Sequence, residues 1–352
     1  MAPSHWERML LLRVYPYTWF AVLSRACRMQ ACTRFSFLPK FFMSSLDAAP
    51  QAPYPWPIDF FIMAAVWGAS FLFMQMAGPE FGPLATSALR VGIAALVLLP
   101  LVLVRGQGAA MLRYWRPIAA VGLFNAGIPF ACFTFALMHI STGLTSILNA
   151  TMPLFTALVA WVWLGQKPGP VRLLGLAIGF AGVALLVVSK SSAGQAGVAA
   201  ASSGQQVLAM AACLCATLCY GIAACASRKY LASVPSIAVT AGSNLSAAIL
   251  LLVPAVWWGP RSMPGAPAWM AIAAVGIFCT ALAYALYYRM IQTTGTAITS
   301  TVTYVVPLFA LLYGRLFLHE TVTPAMLGYG ALILLGTALS ALAPALRMFR
   351  SV

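Results

Sequence analysis

The sequence is poor in charge, and in acid above all. Only 7% of the 352 residues are charged, and Asp and Glu together number 5. A water-soluble domain of this length needs far more charge to cover its surface, so these counts exclude a soluble globular fold. The chain is instead 62% hydrophobic, and long apolar runs recur along it. Each run is long enough to cross a hydrocarbon core of about 30 Å.

Several motifs are also missing. The sequence has no P-loop, which excludes an ATP-driven pump within this chain, and it has no CxxC or HExxH pattern. Most of the 8 cysteines fall inside apolar runs, where the role of a buried small hydrophobe explains them better than a metal site or a disulfide framework. We therefore expect no cofactor, no metal and no catalytic residue.

The basic residues far outnumber the acidic ones, and the net charge is +15. In a soluble protein this excess would suggest a nucleic-acid partner. Here the basic residues stand between apolar runs, so they are interpreted as determinants of membrane topology. The expected partners are membrane lipids and a small-molecule solute, with no nucleic acid, and the oligomeric state stays open.

The apolar runs predict an all-α integral membrane protein with about ten transmembrane helices. The runs are continuous and lack the in-and-out alternation of barrel strands, so the backbone groups must be satisfied within helices. The predicted helices, called spans 1 to 10, cover about 58–77, 83–104, 117–138, 144–164, 170–189, 206–227, 235–257, 268–291, 297–318 and 324–345.

The spans divide the chain into four parts. Residues 1–57 form a basic tail, interpreted as a targeting segment, a disordered tail or a mis-set start, and we expect translation to begin at Met43. A first five-helix repeat covers 58–189 and a second covers 206–346. Residues 190–205, rich in Ser, Ala and Gly, are predicted to be a flexible linker.

The two sets of five spans repeat at a constant offset of 154 residues. An apolar composition gives scattered matches by chance, but it does not readily align mid-span prolines at the offset that also aligns an IAAVG string. The matched pairs include Trp115 with Trp269, Ile118–Gly122 with Ile272–Gly276, Thr145-Ser146 with Thr299-Ser300, and Pro153-Leu154-Phe155 with Pro307-Leu308-Phe309.

Five is an odd number, so the second repeat must start from the opposite side of the membrane, as in inverted-repeat transporters. With the N-terminus inside, nine basic residues fall on the inner side and two, Lys190 and Arg261, on the outer side. This bias agrees with the positive-inside rule and predicts a multi-pass cell (inner) membrane protein with both termini cytoplasmic. The nine inner residues are Arg105, Arg113, Arg116, Lys167, Arg172, Arg228, Lys229, Arg347 and Arg350.

Pro153 and Pro307 lie in the middle of spans 4 and 9. A proline has no N–H and clashes with the carbonyl four residues earlier, so the carbonyls of Asn149 and Thr303 lose their helical partners. Such groups are costly in lipid. The kinks are either packing features or walls of a polar cavity, and their matched positions in inverted halves favour the cavity.

Arg90 lies within span 2, where a charged side chain is costly. Two interpretations stand side by side. The guanidinium either snorkels to the outer interface, towards Glu80, or lies in a cavity and binds a carboxylate or phosphate of the solute. Asn244 occupies the matched position in the second repeat, so the arginine is not duplicated.

Aromatic and amide side chains within the spans are further candidates for a solute pocket. Any single one has an alternative role in an interfacial belt or in helix packing. The full set of predicted cavity residues is Trp67, Arg90, Asn125, Asn149, Pro153, Tyr220, Asn244, Tyr284, Tyr304 and Pro307.

With these residues in hand, the chain resembles the EamA-type transporters of the drug/metabolite transporter superfamily over about residues 58–345. The resemblance is carried by Trp67-Gly68-Ala69-Ser70-Phe71, by Arg90, by the segments around Pro153 and Pro307, by His319-Glu320, and by Gly328 and Gly336. The family typically has an acidic residue after span 4 as well, where this chain has Gln166. The resemblance implies export or exchange of amino acids, other metabolites or cationic drugs.

The sequence therefore predicts a secondary transporter, an exporter of small organic metabolites such as amino acids, that works by alternating access and is not an enzyme. The alternative is a membrane-embedded enzyme acting on a lipid or prenyl substrate. That enzyme would need clustered Asp, Glu or His, and these residues are scattered here. A non-transporting membrane regulator is a third possibility, against which the lack of a soluble domain speaks.

Overall fold

The structure is a computed structural model that describes residues 56–192 and 202–349. Most of those residues are helical, and no strand occurs among them. Residues 1–55 of the predicted basic tail, with the predicted start at Met43, and the central part of the predicted linker lie outside the described residues.

Nine helical stretches of the described chain are long and apolar enough to cross a membrane. The first, Trp56–Val104, has 49 residues, which at about 1.5 Å per residue is more than twice the thickness of a hydrocarbon core. Gly82 interrupts it with φ 75° and ψ 166°, values that a residue with a side chain rarely adopts. The stretch is therefore two spans joined at Gly82, and the described residues contain ten spans in all.

The observed bounds follow the predicted ones closely, because bilayer thickness sets the length of each apolar run. A short helix, Gly108–Arg113, precedes span 3. The observed spans are span 1 at 56–81, span 2 at 83–104, span 3 at Trp115–Leu137, span 4 at Thr142–Leu164, span 5 at Pro170–Ser192, span 6 at Ser203–Tyr230, span 7 at Ser236–Trp257, span 8 at Ala266–Ile291, span 9 at Ile298–Phe317 and span 10 at Pro324–Phe349.

Four breaks interrupt individual spans. Spans 3 and 8 each contain a π-helical turn, at Leu123–Gly127 and Ile277–Leu282. Span 4 consists of the helices Thr142–Asn149 and Met152–Leu164. Span 9 has its own break at Thr301, and its main helix is Val302–Phe317.

Glycines allow the repeats to pack closely against each other. A methyl group placed on Gly68 in span 1 would lie 3.1 Å from the backbone nitrogen of Ala310 in span 9, and one on Gly221 in span 6 would lie 3.0 Å from that of Thr156 in span 4. Each repeat therefore packs its first helix against the fourth helix of the other. The contact falls just beyond the matched prolines in both cases.

Spans 5 and 10, the last of each repeat, also meet at glycines. A methyl group on Gly175 would lie 2.6 Å from the backbone nitrogen of Ser340 and 2.7 Å from the carbonyl oxygen of Gly336. Small residues let helix backbones approach in a bilayer, where apolar side chains alone give little driving force. The two repeats are thus interlocked by three glycine-mediated helix pairs, and the predicted ten-span, two-repeat all-α fold is confirmed.

Candidate functional site

A cavity of about 560 Å³ lies among the spans, and every one of the ten contributes to its lining. Its volume is within the range typical of small-molecule sites. The lining reaches Arg172 and Ser300, near the starts of spans 5 and 9, and Ser227 and Ser340, in the C-terminal parts of spans 6 and 10. These parts of the four spans lie towards one side of the membrane, here called the open face, and the other side is called the closed face.

Arg90 lies deep in this cavity. Its side chain is 5% exposed. Nε donates to Oγ1 of Thr280 at 3.0 Å, Nη1 approaches Sδ of Met74 at 3.1 Å, and the guanidinium carbon stands 3.7 Å from the centroid of the Phe130 ring. An arginine at mid-membrane costs about 2.5–3.5 kcal/mol on insertion scales, and a desolvated cation–π contact returns about 2 kcal/mol of that.

The position of Arg90 follows from a close helix contact. Gly276, at the end of the IAAVG string of span 8, faces span 2, and a methyl group there would lie 3.3 Å from the carbonyl oxygen of Arg90 and 2.7 Å from Cβ of Ile93. Thr280 lies one turn further along span 8, so the absence of a side chain at Gly276 brings the hydroxyl within reach of the guanidinium. The arginine of one repeat is held by the helix of the other.

The two π-helical turns shape the cavity wall at matched positions. Asn125 in the first turn and Cys279 in the second are separated by the repeat offset, and both line the cavity. Such turns widen a helix by one residue and frequently occur at functional sites. The amide of Asn125 donates to the hydroxyl of Tyr284 at 3.4 Å, and the hydroxyl of Thr280 also donates to the carbonyl of Val275 at 2.8 Å.

Aromatic rings form much of the remaining wall. The rings of Trp67 and Tyr287 lie 5.7 Å apart, those of Phe133 and Tyr220 lie 6.0 Å apart, and Tyr284 stacks on its neighbour one turn along span 8. Rings with polar tips suit an amphipathic solute, because the ring covers the apolar part while the hydroxyl remains available for hydrogen bonding.

Eight of the ten residues predicted from the sequence line the cavity: Trp67, Arg90, Asn125, Asn149, Pro153, Tyr220, Tyr284 and Tyr304. The hydroxyl of Tyr304 also donates a hydrogen bond to the carbonyl oxygen of Thr337 in span 10, 3.2 Å away. The structure therefore brings together residues from seven spans that the sequence placed far apart.

Asn244 and Pro307 do not line the cavity. Asn244 is 2% exposed, and its amide nitrogen donates to the carbonyl of Thr240 in its own helix, 2.8 Å away. Pro307 is buried inside the helix Val302–Phe317, whereas Pro153 is the second residue of its helix. The prolines match in sequence, but only Pro307 sits where a helical hydrogen bond is lost, and Thr303, four residues before it, reaches the cavity instead.

Among the residues that sequence reasoning missed are three on the cavity wall, Met74, Phe130 and Arg172, and the partner of Arg90, Thr280. The first two read as ordinary apolar residues, and Arg172 was counted only as a topology charge. A signal for Thr280 did exist, because it follows the second IAAVG string by one turn. The guanidinium of Arg90 does not reach Glu80, which accepts instead from the backbone N–H of Gly265.

The closed face is held by a carboxylate. Glu320, in the connection before span 10, is 9% exposed, and its two oxygens accept from the backbone N–H of Thr142 at 2.8 Å and from the Thr142 hydroxyl at 2.7 Å. Thr142 opens span 4, where the helix dipole favours a negative charge. One acidic side chain of the second repeat therefore caps a helix of the first.

Acidic groups elsewhere in the described chain are equally engaged. Asp59 pairs with Arg289, with 2.7 Å between its oxygen and Nε, and none of the three described carboxylates lines the cavity. Among the described residues, no three His, Cys, Asp or Glu side chains are grouped as a metal site would require. The clustered acids that a lipid-modifying enzyme would need are not found in this part of the chain.

Comparison with known proteins agrees with this architecture. The model of the EamA-like transporter family matches residues 55–188 and again residues 207–342. "Uncharacterized transporter YvbV" of Bacillus subtilis (strain 168) is 23% identical over 75% of this chain and 84% of its own length. "Uncharacterized inner membrane transporter YedA" of Escherichia coli (strain K12) is 24% identical over 75% of this chain and 83% of its own.

A solved crystal structure is similar in fold. It superimposes with a TM-score of 0.58, covering 83% of this chain and 99% of its own, at 21% sequence identity. At that identity the likeness concerns the fold alone.

Proposed function

The chain belongs to the EamA-like transporter family, and from that premise we propose that it is a secondary transporter that exports small organic metabolites by alternating access between its two repeats. The observation that carries the proposal is the cavity lined by all ten spans, which reaches one membrane face while Glu320 holds the other closed. A solute admitted from the open face meets a closed barrier beyond Arg90.

Alternating access follows from the inverted repeats. If the repeats exchange conformations, the barrier moves from one face to the other while the central residues keep their place. The repeat offset matches Glu320 with Gln166. We propose that Gln166 takes the part of Glu320 and closes the present open face in the alternative state.

The side of the membrane to which the cavity opens is inferred from charge. The open face is the side on which spans 2 and 3 are joined, near Arg105, Arg113 and Arg116. Under the positive-inside rule this side is the cytoplasm, with both termini on it. The cavity then faces the cytoplasm, which is the state in which an exporter loads its solute.

The test compares cells of one strain that carry the wild-type protein, the Arg90→Ala variant at equal membrane abundance, or neither. We expect wild-type cells to release at least one small organic solute that the other two retain. Equal solute pools in all three would contradict the proposed transport. A change in membrane lipid composition instead, dependent on the wild-type protein, would favour the alternative of a lipid-modifying enzyme.

A further inference from the structure

We propose that the transported solute is an organic anion, with its carboxylate on Arg90 and an apolar or aromatic body against the rings of the cavity. This inference rests on the proposed transport function and narrows its substrate. It departs from the expectation of amino acids, which carry an ammonium group as well as a carboxylate. It departs equally from the cationic drugs that the family resemblance implied.

The first step concerns the donors of Arg90. A guanidinium has five N–H groups. One is used on Thr280, and a second points at the sulfur of Met74, which is a weak acceptor. Nη2 donates no hydrogen bond within the described part of the chain, and one face of the group is covered by Phe130. The edge formed by Nη1 and Nη2 is left for a ligand, and that edge fits the two oxygens of a carboxylate.

The second step concerns the missing counter-charge. Arg90 is nearly fully buried, and a buried cation needs an anion or several strong acceptors. The three carboxylates of the described chain are each engaged elsewhere: Asp59 with Arg289, Glu80 with the Gly265 N–H, and Glu320 with Thr142. The lining of the cavity therefore carries positive charge without a carboxylate, and an anionic solute supplies what the wall lacks.

The third step concerns the route to Arg90. Arg172 lines the cavity near the open face, and its buried Nε has no hydrogen-bond partner among the described residues. Two arginines thus stand along one path, one at its mouth and one at its depth. Their combined field raises the local concentration of anions and lowers that of amines.

The rest of the wall gives the shape of the body. Trp67, Tyr220, Tyr284 and Tyr287 line it, and they give the wall four aromatic side chains and three phenol hydroxyl groups. An amine could stack on these rings, but it would find no carboxylate there and would meet the field of Arg90. A carboxylate on an aromatic or branched apolar body satisfies both parts of the cavity.

The experiment uses four probes that share one body and differ in charge: 3-phenylpropanoate, 3-phenylpropylamine, phenylalanine and 3-phenylpropanol. Binding to the purified full-length protein is measured by thermal stabilisation, and transport is measured by uptake into proteoliposomes. We expect the acid to stabilise the protein at a roughly tenfold lower concentration than any other probe, the difference of one charged contact. Tighter or equal binding of the amine or of phenylalanine overturns the inference, and so does failure of the acid to bind.

Variants separate the site from general charge effects. Arg90→Gln should abolish the preference for the acid, and Arg90→Lys should keep the preference with weaker binding, since lysine retains the charge without the planar fork. Arg261→Gln, which removes an exposed arginine outside the cavity, should leave the preference unchanged. If folded Arg90→Gln still prefers the acid, the assignment is contradicted. It is contradicted equally if Arg90→Lys loses the preference.

The two proposals fail in different ways. An acid that binds through Arg90 but never crosses the membrane would contradict the transport function and leave the anion site standing. An amine or a zwitterion that is carried while the acid is not would leave transport standing and overturn the anion.

Discussion

The two repeats share a backbone but differ in chemistry. Both have a π-helical turn at the same depth, both carry a glycine in the first span that packs against the other repeat, and both end in a span that meets its counterpart at glycines. The charged positions are not matched in the same way. Arg90 of the first repeat is paired with Asn244, and Glu320 of the second is paired with Gln166.

This difference separates two roles. The shared features are those that let helices pack and exchange positions, which both halves need equally. The unshared charges each occur in only one repeat: Arg90 lies in the cavity, and Glu320 lies at the closed face. We infer that the features shared by both repeats support the conformational change. The unshared charges bind the solute and set the balance between the two states.

The largest expected effect on transport comes from removing the charge of Arg90, which has no counterpart in the second repeat. Arg90→Ala should lower transport by about 100-fold or more, because it leaves a buried ligand charge without its partner. The matched change Asn244→Ala should lower transport by no more than about fivefold, since Asn244 bonds to its own helix. Initial rates in proteoliposomes with equal protein content give both numbers, and equal losses in the two variants would break the proposed asymmetry.

The shared glycines should respond alike. Gly68→Ala and Gly221→Ala each force a methyl group against the backbone of the other repeat, and we expect a loss of about 1–3 kcal/mol in stability for both, as for overpacking in other cores. Thermal unfolding in detergent measures the loss. Gly328→Ala is the control, because no atom lies within 4 Å of the added methyl. A large difference between Gly68→Ala and Gly221→Ala would show that the packing is not symmetric.

The carboxylate of the closed face should set how firmly that face is held. Glu320→Gln gives the second repeat the amide of the first and replaces charged hydrogen bonds by neutral ones, a loss of about 1–1.5 kcal/mol. Amide hydrogen exchange at the start of span 4, around Thr142, should become roughly tenfold faster.

The same substitution elsewhere on the closed face is the control for Glu320→Gln. Glu80→Gln changes a carboxylate that contacts Gly265 instead, so exchange around Thr142 should stay as in the wild type. If Glu320→Gln also leaves that exchange unchanged, the carboxylate does not hold the closed face.

The smallest effect should separate the two prolines. Pro307→Ala restores a backbone hydrogen bond inside a helix and should stabilise the protein by about 1 kcal/mol while slowing transport a few-fold. Pro153→Ala should change both quantities less, because the N–H that alanine adds at the second residue of a helix has no acceptor within that helix. Thermal unfolding and transport rates on both variants check the order, and a larger effect at Pro153 would reverse it.

Much of the fold could be predicted from the sequence. Span bounds follow from the length of apolar runs, and the repeat follows from matched strings such as IAAVG, since both are properties of the local chain. The polar and aromatic residues in mid-span identified most of the cavity, because lipid tolerates few such groups and they must face inwards.

The remainder depended on contacts between distant segments. Hydropathy cannot show a π-helical turn, so the matched positions of Asn125 and Cys279 on the wall were not visible. The hydrogen-bond partners of Arg90 are Thr280 of the second repeat and the sulfur of Met74, which is an ordinary apolar residue in the sequence. Glu320 lies in the loop between spans 9 and 10, and only the approach of span 4 shows what its carboxylate binds. Pro153 and Pro307 match in sequence, yet the helix around one of them ends before it.

The central claim is that the cavity opens to each face in turn, and a single cysteine at Asn149 tests it most directly. In a chain without native cysteines, Asn149→Cys should react with a membrane-impermeant thiol reagent added from either face, and transported solute should slow both reactions. Leu250→Cys, half exposed in the middle of span 7, should react from neither face, because its surroundings are lipid. Reaction at Asn149→Cys from one face only, in a variant that still transports, would contradict the account.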